Sequence, residues 1–146
     1  MSTRNKKETV KEIMTKKIIS LPTSKKTIDA LELMVKKDVG SVIILQRGKL
    51  YGIITERDIV RRITKDFEYL NRRLRETATK PVVTVPPDAP VLVAFALLLK
   101  RKIRRLPVME GGKLLGIVTE RDLFKWVVEV GSELPKTMRN MVSESP

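Results

Sequence analysis

The chain has 146 residues, close to the usual size of a single domain and long enough to bury a full core without covalent staples. It contains no cysteine and no histidine, which excludes disulfides, thiolate nucleophiles, the usual zinc ligand sets and the commonest general base. Lys and Arg number 30 against 17 Asp and Glu, and the resulting charge of +13 favours anionic partners such as nucleotides, nucleic acid or an acidic protein.

Residues 1–9 are polar and basic and read as a mobile arm, without the apolar core of a signal peptide. No apolar stretch reaches the roughly 18 residues that a membrane span needs, so the expected compartment is the cytoplasm with no membrane contact. Residues 18–21 form a short apolar run stopped by Pro22 and predict a strand. Ile28, Leu31, Leu33, Met34 and Val35 then recur among charges at helical spacing, which predicts a helix over 27–37 capped by Thr27. Two apolar runs, 42–45 and 50–54, flank Gln46-Arg47-Gly48-Lys49 and predict a hairpin turning at the glycine.

After Thr55 the period changes once more. Ile59, Ile63, Phe67, Leu70 and Leu74 follow steps of three and four, predicting one long helix. A strand over 82–85, a helix over 91–102, hairpin strands around 106–109 and 114–118, and a helix from 120 to about 130 complete the order. Residues 131–146 are a polar tail that reads as a short docking helix or as disorder.

The second series repeats the first. Gly52-Ile53-Ile54-Thr55-Glu56-Arg57-Asp58 returns as Gly116-Ile117-Val118-Thr119-Glu120-Arg121-Asp122, an offset of 116 − 52 = 64 residues. The register holds without a gap from about residue 10 to 63 against 74 to 127 and matches turn residues as well as apolar ones: Pro22 with Pro86, Gly48 with Gly112. The organisation predicted is a 1–9 arm, a first unit over 10–73, a second over 74–130 and a 131–146 tail. Each unit is β-α-β-β-α, giving an α/β (α+β) fold. A unit this small can hardly cover both faces of its own sheet, so two should pack about a pseudo-two-fold axis. Consecutive apolar residues at 42–45 and 97–99 predict burial on both sides.

The repeated phrase ends with a hydroxyl and, three residues on, a carboxylate. Such a pair can cap a helix, with Asp in the first turn favoured by the macrodipole. The same carboxylate can accept two hydrogen bonds from a vicinal diol such as the ribose 2′- and 3′-hydroxyls.

With the unit order, Ile103-Arg104-Arg105-Leu106-Pro107-Val108 before the second hairpin, and the G-h-h-T-x-x-D ending of both copies, residues 10–130 resemble a tandem pair of CBS domains, or Bateman module. The first copy departs from the family pattern in having Val42-Ile43-Ile44 where Leu-Pro-Val is common. The resemblance implies clefts between the halves that bind an adenosine-type ligand, with the motif Asp on the ribose. One site would use Ile117, Thr119 and Asp122 with Thr15, Ile18, Ile19, Val39 and Ser41. The other would use Ile53, Thr55 and Asp58 with Thr79, Val82, Val83 and Ile103. Arg104 and Arg105 stand where phosphate-binding residues occur in some relatives, while Gly40 and Ser41 occupy the matching places of the first copy. The expectation is therefore that the Asp122 site holds the phosphorylated ligand, with Arg105 as the main phosphate contact.

The function expected is regulatory sensing of adenine nucleotides (AMP, ADP or ATP) without catalysis, required cofactor or metal, and with a conformational bias passed to a partner protein. S-adenosylmethionine is an alternative ligand. Nucleic-acid binding through the basic surface is a reading of another class, weakened by an aromatic content of 4%, which leaves few stacking platforms. The family further implies a homodimer formed through helices, for which Val60, Phe124, Trp126 and Val127 are candidate contacts.

Overall fold

In the computed structural model, which describes residues 8–131, the chain runs α1 (Val10–Ile13), β1 (Ser20–Pro22), α2 (Thr27–Lys37), β2 (Ser41–Gln46), β3 (Lys49–Thr55), α3 (Glu56–Ile63), a 3-10 helix (Phe67–Asn71), α4 (Leu74–Thr77), α5 (Val91–Arg101), β4 (Arg105–Glu110), β5 (Lys113–Thr119) and α6 (Glu120–Val130). Residues 1–7 of the arm and 132–146 of the tail lie outside the described residues. Among those described, no helix is long and apolar enough to cross a membrane.

Both hairpins turn through two residues with positive φ, Arg47 and Gly48 in the first and Gly111 and Gly112 in the second. That is the backbone twist a two-residue hairpin loop requires. Each hairpin carries a register shift at the same place, between Ile44 and Leu45 and between Val108 and Met109. Helices α2 and α5 likewise end alike, on Asp38 and Lys102 in the left-handed conformation.

The sheets are less alike than the sequence repeat. Strand β1 pairs in parallel with β2 to give a three-stranded sheet, whereas β4 and β5 form a sheet of two. The predicted strand over 82–85 is reduced to a single bridge between Val85 and Val108. The cause is the loss of two donors. In the first half Ile43 N–H donates to Ile19 and Thr23 N–H to Leu45, each at 3.0 Å. The residues 64 positions on are Pro107 and Pro87, which have no N–H. Only the bonds from Val85 to Pro107 and from Met109 to Val85 survive between them. In the first half the strand itself begins two residues later than predicted, at Ser20.

The long helix predicted from Ile59 to Leu74 is broken into three pieces. Helix α3 stops at Ile63, and the Asp66 carboxylate accepts from Glu68 N–H at 3.0 Å to start the 3-10 helix. Ile59, Tyr69 and Leu74 still reach one core, while Phe67 is 88% exposed. Thr27 is the first helical residue rather than the cap. Its hydroxyl lies 2.7 Å from that of Thr77 and donates to Arg72 O, tying α2 to α4.

Two apolar cores result, one for each half. Val10 of α1 is fully buried in the second half's core beside Val85 and Leu123, whereas Leu74 of α4 is fully buried in the first half's core beside Ile54 and Tyr69. Each copy of the leading segment therefore packs on the opposite half. Of the consecutive apolar runs, Val42, Ile43 and Ile44 are buried, but Leu99 on α5 is exposed. Trp126, a candidate surface contact, is instead a core residue packed against Phe95, whereas Val60 and Phe124 are exposed at equivalent positions of α3 and α6.

Candidate functional site

Strand β3 runs into α3 without a loop, and β5 into α6 in the same way, because a threonine ends each strand and caps each helix. Asp58 N–H donates to Thr55 Oγ1 at 3.2 Å while Thr55 N–H donates to Asp58 Oδ2 at 3.0 Å. In the second copy the same two bonds between Thr119 and Asp122 measure 3.2 and 2.9 Å, with a third from Thr119 Oγ1 to Asp122 Oδ2 at 3.0 Å. Each pair is thus a reciprocal capping box. Helix capping and a ligand role are compatible here: the cap engages Oδ2, and among the described residues Oδ1 of each aspartate has no protein donor.

The exchanged leading segments supply one wall. Thr79 and Ile53 exchange backbone bonds at 2.8 and 3.2 Å, and Thr79 Oγ1 donates to Asp58 Oδ2 at 3.3 Å. Thr15 and Ile117 exchange theirs at 2.8 and 2.9 Å. The motif glycines make these crossings possible. A Cβ on Gly52 would lie 2.9 Å from Thr79 O, and one on Gly116 would lie 2.8 Å from Thr15 O, inside any real contact.

Around Asp58 the chain encloses a cavity of about 540 Å³. Ile53, Pro81, Val82, Val83 and Ile103 give it apolar surface; Thr55, Asp58 and Thr79 give it hydroxyls and a carboxylate; Gly40, Glu56 and the cations Arg57, Arg61, Arg101, Lys102, Arg104 and Arg105 complete it. A shallower, open depression of about 470 Å³ beside it is lined by Leu50, Tyr51, Lys80, Pro81 and Val82, with Lys80 Nζ 4.2 Å from the Tyr51 ring centre. It has no acidic group and lacks the features of a specific site.

All seven residues expected at the Asp58 cleft are brought together. Of the other set, Thr15 meets Ile117 and Thr119 meets Asp122. Ile18, Ile19, Val39 and Ser41 belong to the first half, at places matching Val82, Val83, Ile103 and Arg105. Ile19 and Val39 pack against the first core, and Ser41 is buried opposite Thr55.

The two arginines require a correction. Arg104 and Arg105 stand at the start of β4 in the second half, yet they line the cavity that holds Asp58 of the first. Arg105 extends over the first half, where a Cβ on Gly40 would run into its guanidinium and into the Glu56 carboxylate. Partial burial pulls the Arg105 guanidinium below its ordinary pKa, an effect that Glu56 partly offsets, Arg104 reinforces and Glu120 opposes. Arg104 Nε sits 3.6 Å from Glu120 Oε1 on the surface.

Glu56, Arg57, Arg61, Arg101 and Lys102 were not anticipated at the cavity. Arg57 and Arg61 are four residues apart on α3, so both follow from placing Asp58 on that helix. Among the described residues there is no cluster of three or more acidic groups able to hold a metal ion.

A family model for the CBS domain matches the chain twice, over residues 10–65 and 74–129. MJ1225, an uncharacterized protein of Methanocaldococcus jannaschii, is 30% identical over 119 residues, which is 81% of this chain but 42% of that relative's length. The solved structure of a CBS-domain protein from Burkholderia ambifaria MC40-6 superposes with a TM-score of 0.77 at 30% identity, covering 83% of this chain and 94% of that one. The CBS-domain pair of MJ0100, solved with 5′-methylthioadenosine and S-adenosyl-L-methionine, superposes with a TM-score of 0.73 at 27% identity, covering 86% and 98%.

Proposed function

Because the chain belongs to the CBS-domain family and carries two such domains in tandem, we propose that it is a regulatory module that binds an adenine nucleotide in the Asp58 cleft. The observation that carries this reading is the convergence on one cavity of a carboxylate with an unengaged oxygen, five apolar side chains and six cations. Asp58 Oδ1 accepts from the ribose diol, the base lies among Ile53, Val82, Val83 and Ile103, and phosphate oxygens meet Arg104 and Arg105. The adenosyl ligands of the MJ0100 pair support the nucleoside half of this assignment.

The role proposed for the cleft is binding: its hydroxyls and carboxylate are arranged as a helix cap and a crossing contact that leave Asp58 Oδ1 open to a ligand. Closure of the two halves on the ligand would transmit its presence to a partner protein. Val60, Phe124 and Val127, exposed on α3 and α6, are the surface through which two copies would associate. The basic surface also admits nucleic acid, but here cations gather around a cavity with apolar and acidic walls, a setting suited to a small ligand.

Calorimetric titration of AMP, ADP and ATP tests the reading. Saturable binding that survives 0.3 M salt and is lost in Asp58→Asn is expected. Failure of all three nucleotides to bind, with RNA bound only at low salt, would overturn it.

A further inference from the structure

The connection from α2 to β2 and the connection from α5 to β4 are one piece of backbone written twice. Each begins on a residue at φ 54, Asp38 or Lys102, and each continues with an apolar residue into a strand. Their charges differ sharply. Lys102-Ile103-Arg104-Arg105 carries +3 and Asp38-Val39-Gly40-Ser41 carries −1, a change of 3 − (−1) = 4 units on four residues.

The cationic copy faces the Asp58 cavity, whose lining holds six cations and two carboxylates, a balance of 6 − 2 = +4. Shifting every lining position by 64 residues names the matching set for Asp122, which the repeat makes five cations and three carboxylates, 5 − 3 = +2. One of those five, Arg104, is paired with Glu120. Ser41 stands where the guanidinium fork of Arg105 would be, and Asp38 puts a carboxylate at the place of Lys102.

Resting on the nucleotide reading above, we propose that the two clefts take ligands of different charge class: a nucleoside di- or triphosphate at Asp58, and an adenosine-type ligand without phosphate at Asp122. The ribose element is common to both, being the same capping box. The selector is the preceding loop. Three cations on one short connection match the charge that a polyphosphate presents, whereas a carboxylate at residue 38 repels an added phosphate and suits a neutral or cationic substituent. The protein would then report on two metabolite pools at once.

The test is calorimetry at fixed ionic strength, with ATP first and then adenosine titrated into ATP-saturated protein. One ATP per chain is expected, bound at least tenfold more tightly than AMP and weakened at least tenfold in Arg105→Ala. One adenosine should follow, lost in Asp122→Asn and retained in Arg105→Ala. Asp38→Lys should raise the ATP stoichiometry from one toward two, and Lys102 at the same φ indicates that the backbone accepts lysine there. Two equivalent ATP sites in the wild type, or ATP binding lost in Asp122→Asn and kept in Asp58→Asn, would overturn the proposal while leaving nucleotide binding itself intact. Absence of binding by any adenine compound would remove the nucleotide reading, and the proposal with it.

Discussion

Val10 and Leu74 occupy the same place in the two copies, 74 − 10 = 64, and each is fully buried in the core of the half that the other begins. The halves are therefore interlocked through their leading segments. Leu74→Ala should cost about 2–5 kcal/mol, the usual range for emptying a buried leucine site, and Val10→Ala somewhat less. Both variants should still unfold in urea as one transition by circular dichroism and by Trp126 fluorescence. Two separated transitions would show that the halves do not depend on each other.

Gly52→Ala and Gly116→Ala should each destabilise by about 1–3 kcal/mol, the range for overpacking, because the added methyl meets a backbone carbonyl of the crossing segment. Gly52→Ala should also disturb Asp58, since Thr79 bonds both Ile53 and Asp58. Thermal melts and nucleotide titration of the two variants separate these effects: similar losses of stability, with the larger loss of affinity in Gly52→Ala.

Tyr69 gives a prediction at high pH. Its hydroxyl is buried without a hydrogen-bond partner among the described residues, and burial, reinforced by the negative charge of Asp58 and partly offset by Arg62, pushes its pKa up to about 12. The unfolded chain releases this proton near pH 10 and the folded chain near 12. The contribution is complete below pH 10 and is lost as pH rises to about 12, an effect of about 2–3 kcal/mol. Tyr69→Phe removes this dependence and relieves an unsatisfied hydroxyl. It should be more stable than wild type by about 1 kcal/mol at pH 7, with the advantage widening above pH 10 in parallel urea titrations.

Arg105→Lys separates charge from geometry. The substitution keeps the cation but loses the planar fork, so ATP affinity should fall by about 1.5–3 kcal/mol, roughly 10- to 100-fold, if phosphate is held by two oxygens at once. An unchanged dissociation constant by calorimetry would mean that Arg105 supplies only diffuse potential.

Much of the fold was legible because local chemistry and tertiary need agreed. The α2 limits match the prediction, α5 ends one residue short of it, and both hairpins formed, their periodicity being reinforced by left-handed caps and glycine turns. Where the expectation failed, a single residue type explains it. The period running from Ile59 to Leu74 is real as a record of one buried face, yet Asp66 starts a new helix within it. Prolines 87 and 107 carry apolar surface but no donors, so the apolar run before Pro86 makes one bridge in place of a strand. The two Thr-x-x-Asp caps could be read from spacing alone. The ownership of Arg104 and Arg105 could not, because their position in the chain places them with their own hairpin, while the packing of the halves places them in the opposite cleft.

Arg105 over Gly40 bears on how such a protein could arise. Two identical half-length chains paired about a true two-fold axis would have one residue type at both 40 and 104 and one at both 41 and 105. The Arg105 guanidinium and the Glu56 carboxylate occupy the space above Gly40, so an Arg-Arg sequence in both halves would force these side-chain ends to move aside. In a single chain that restriction does not apply, since each position can change alone. A single chain can therefore carry Arg104 and Arg105 in one half and Gly40 and Ser41 in the other, so that the two clefts differ in charge.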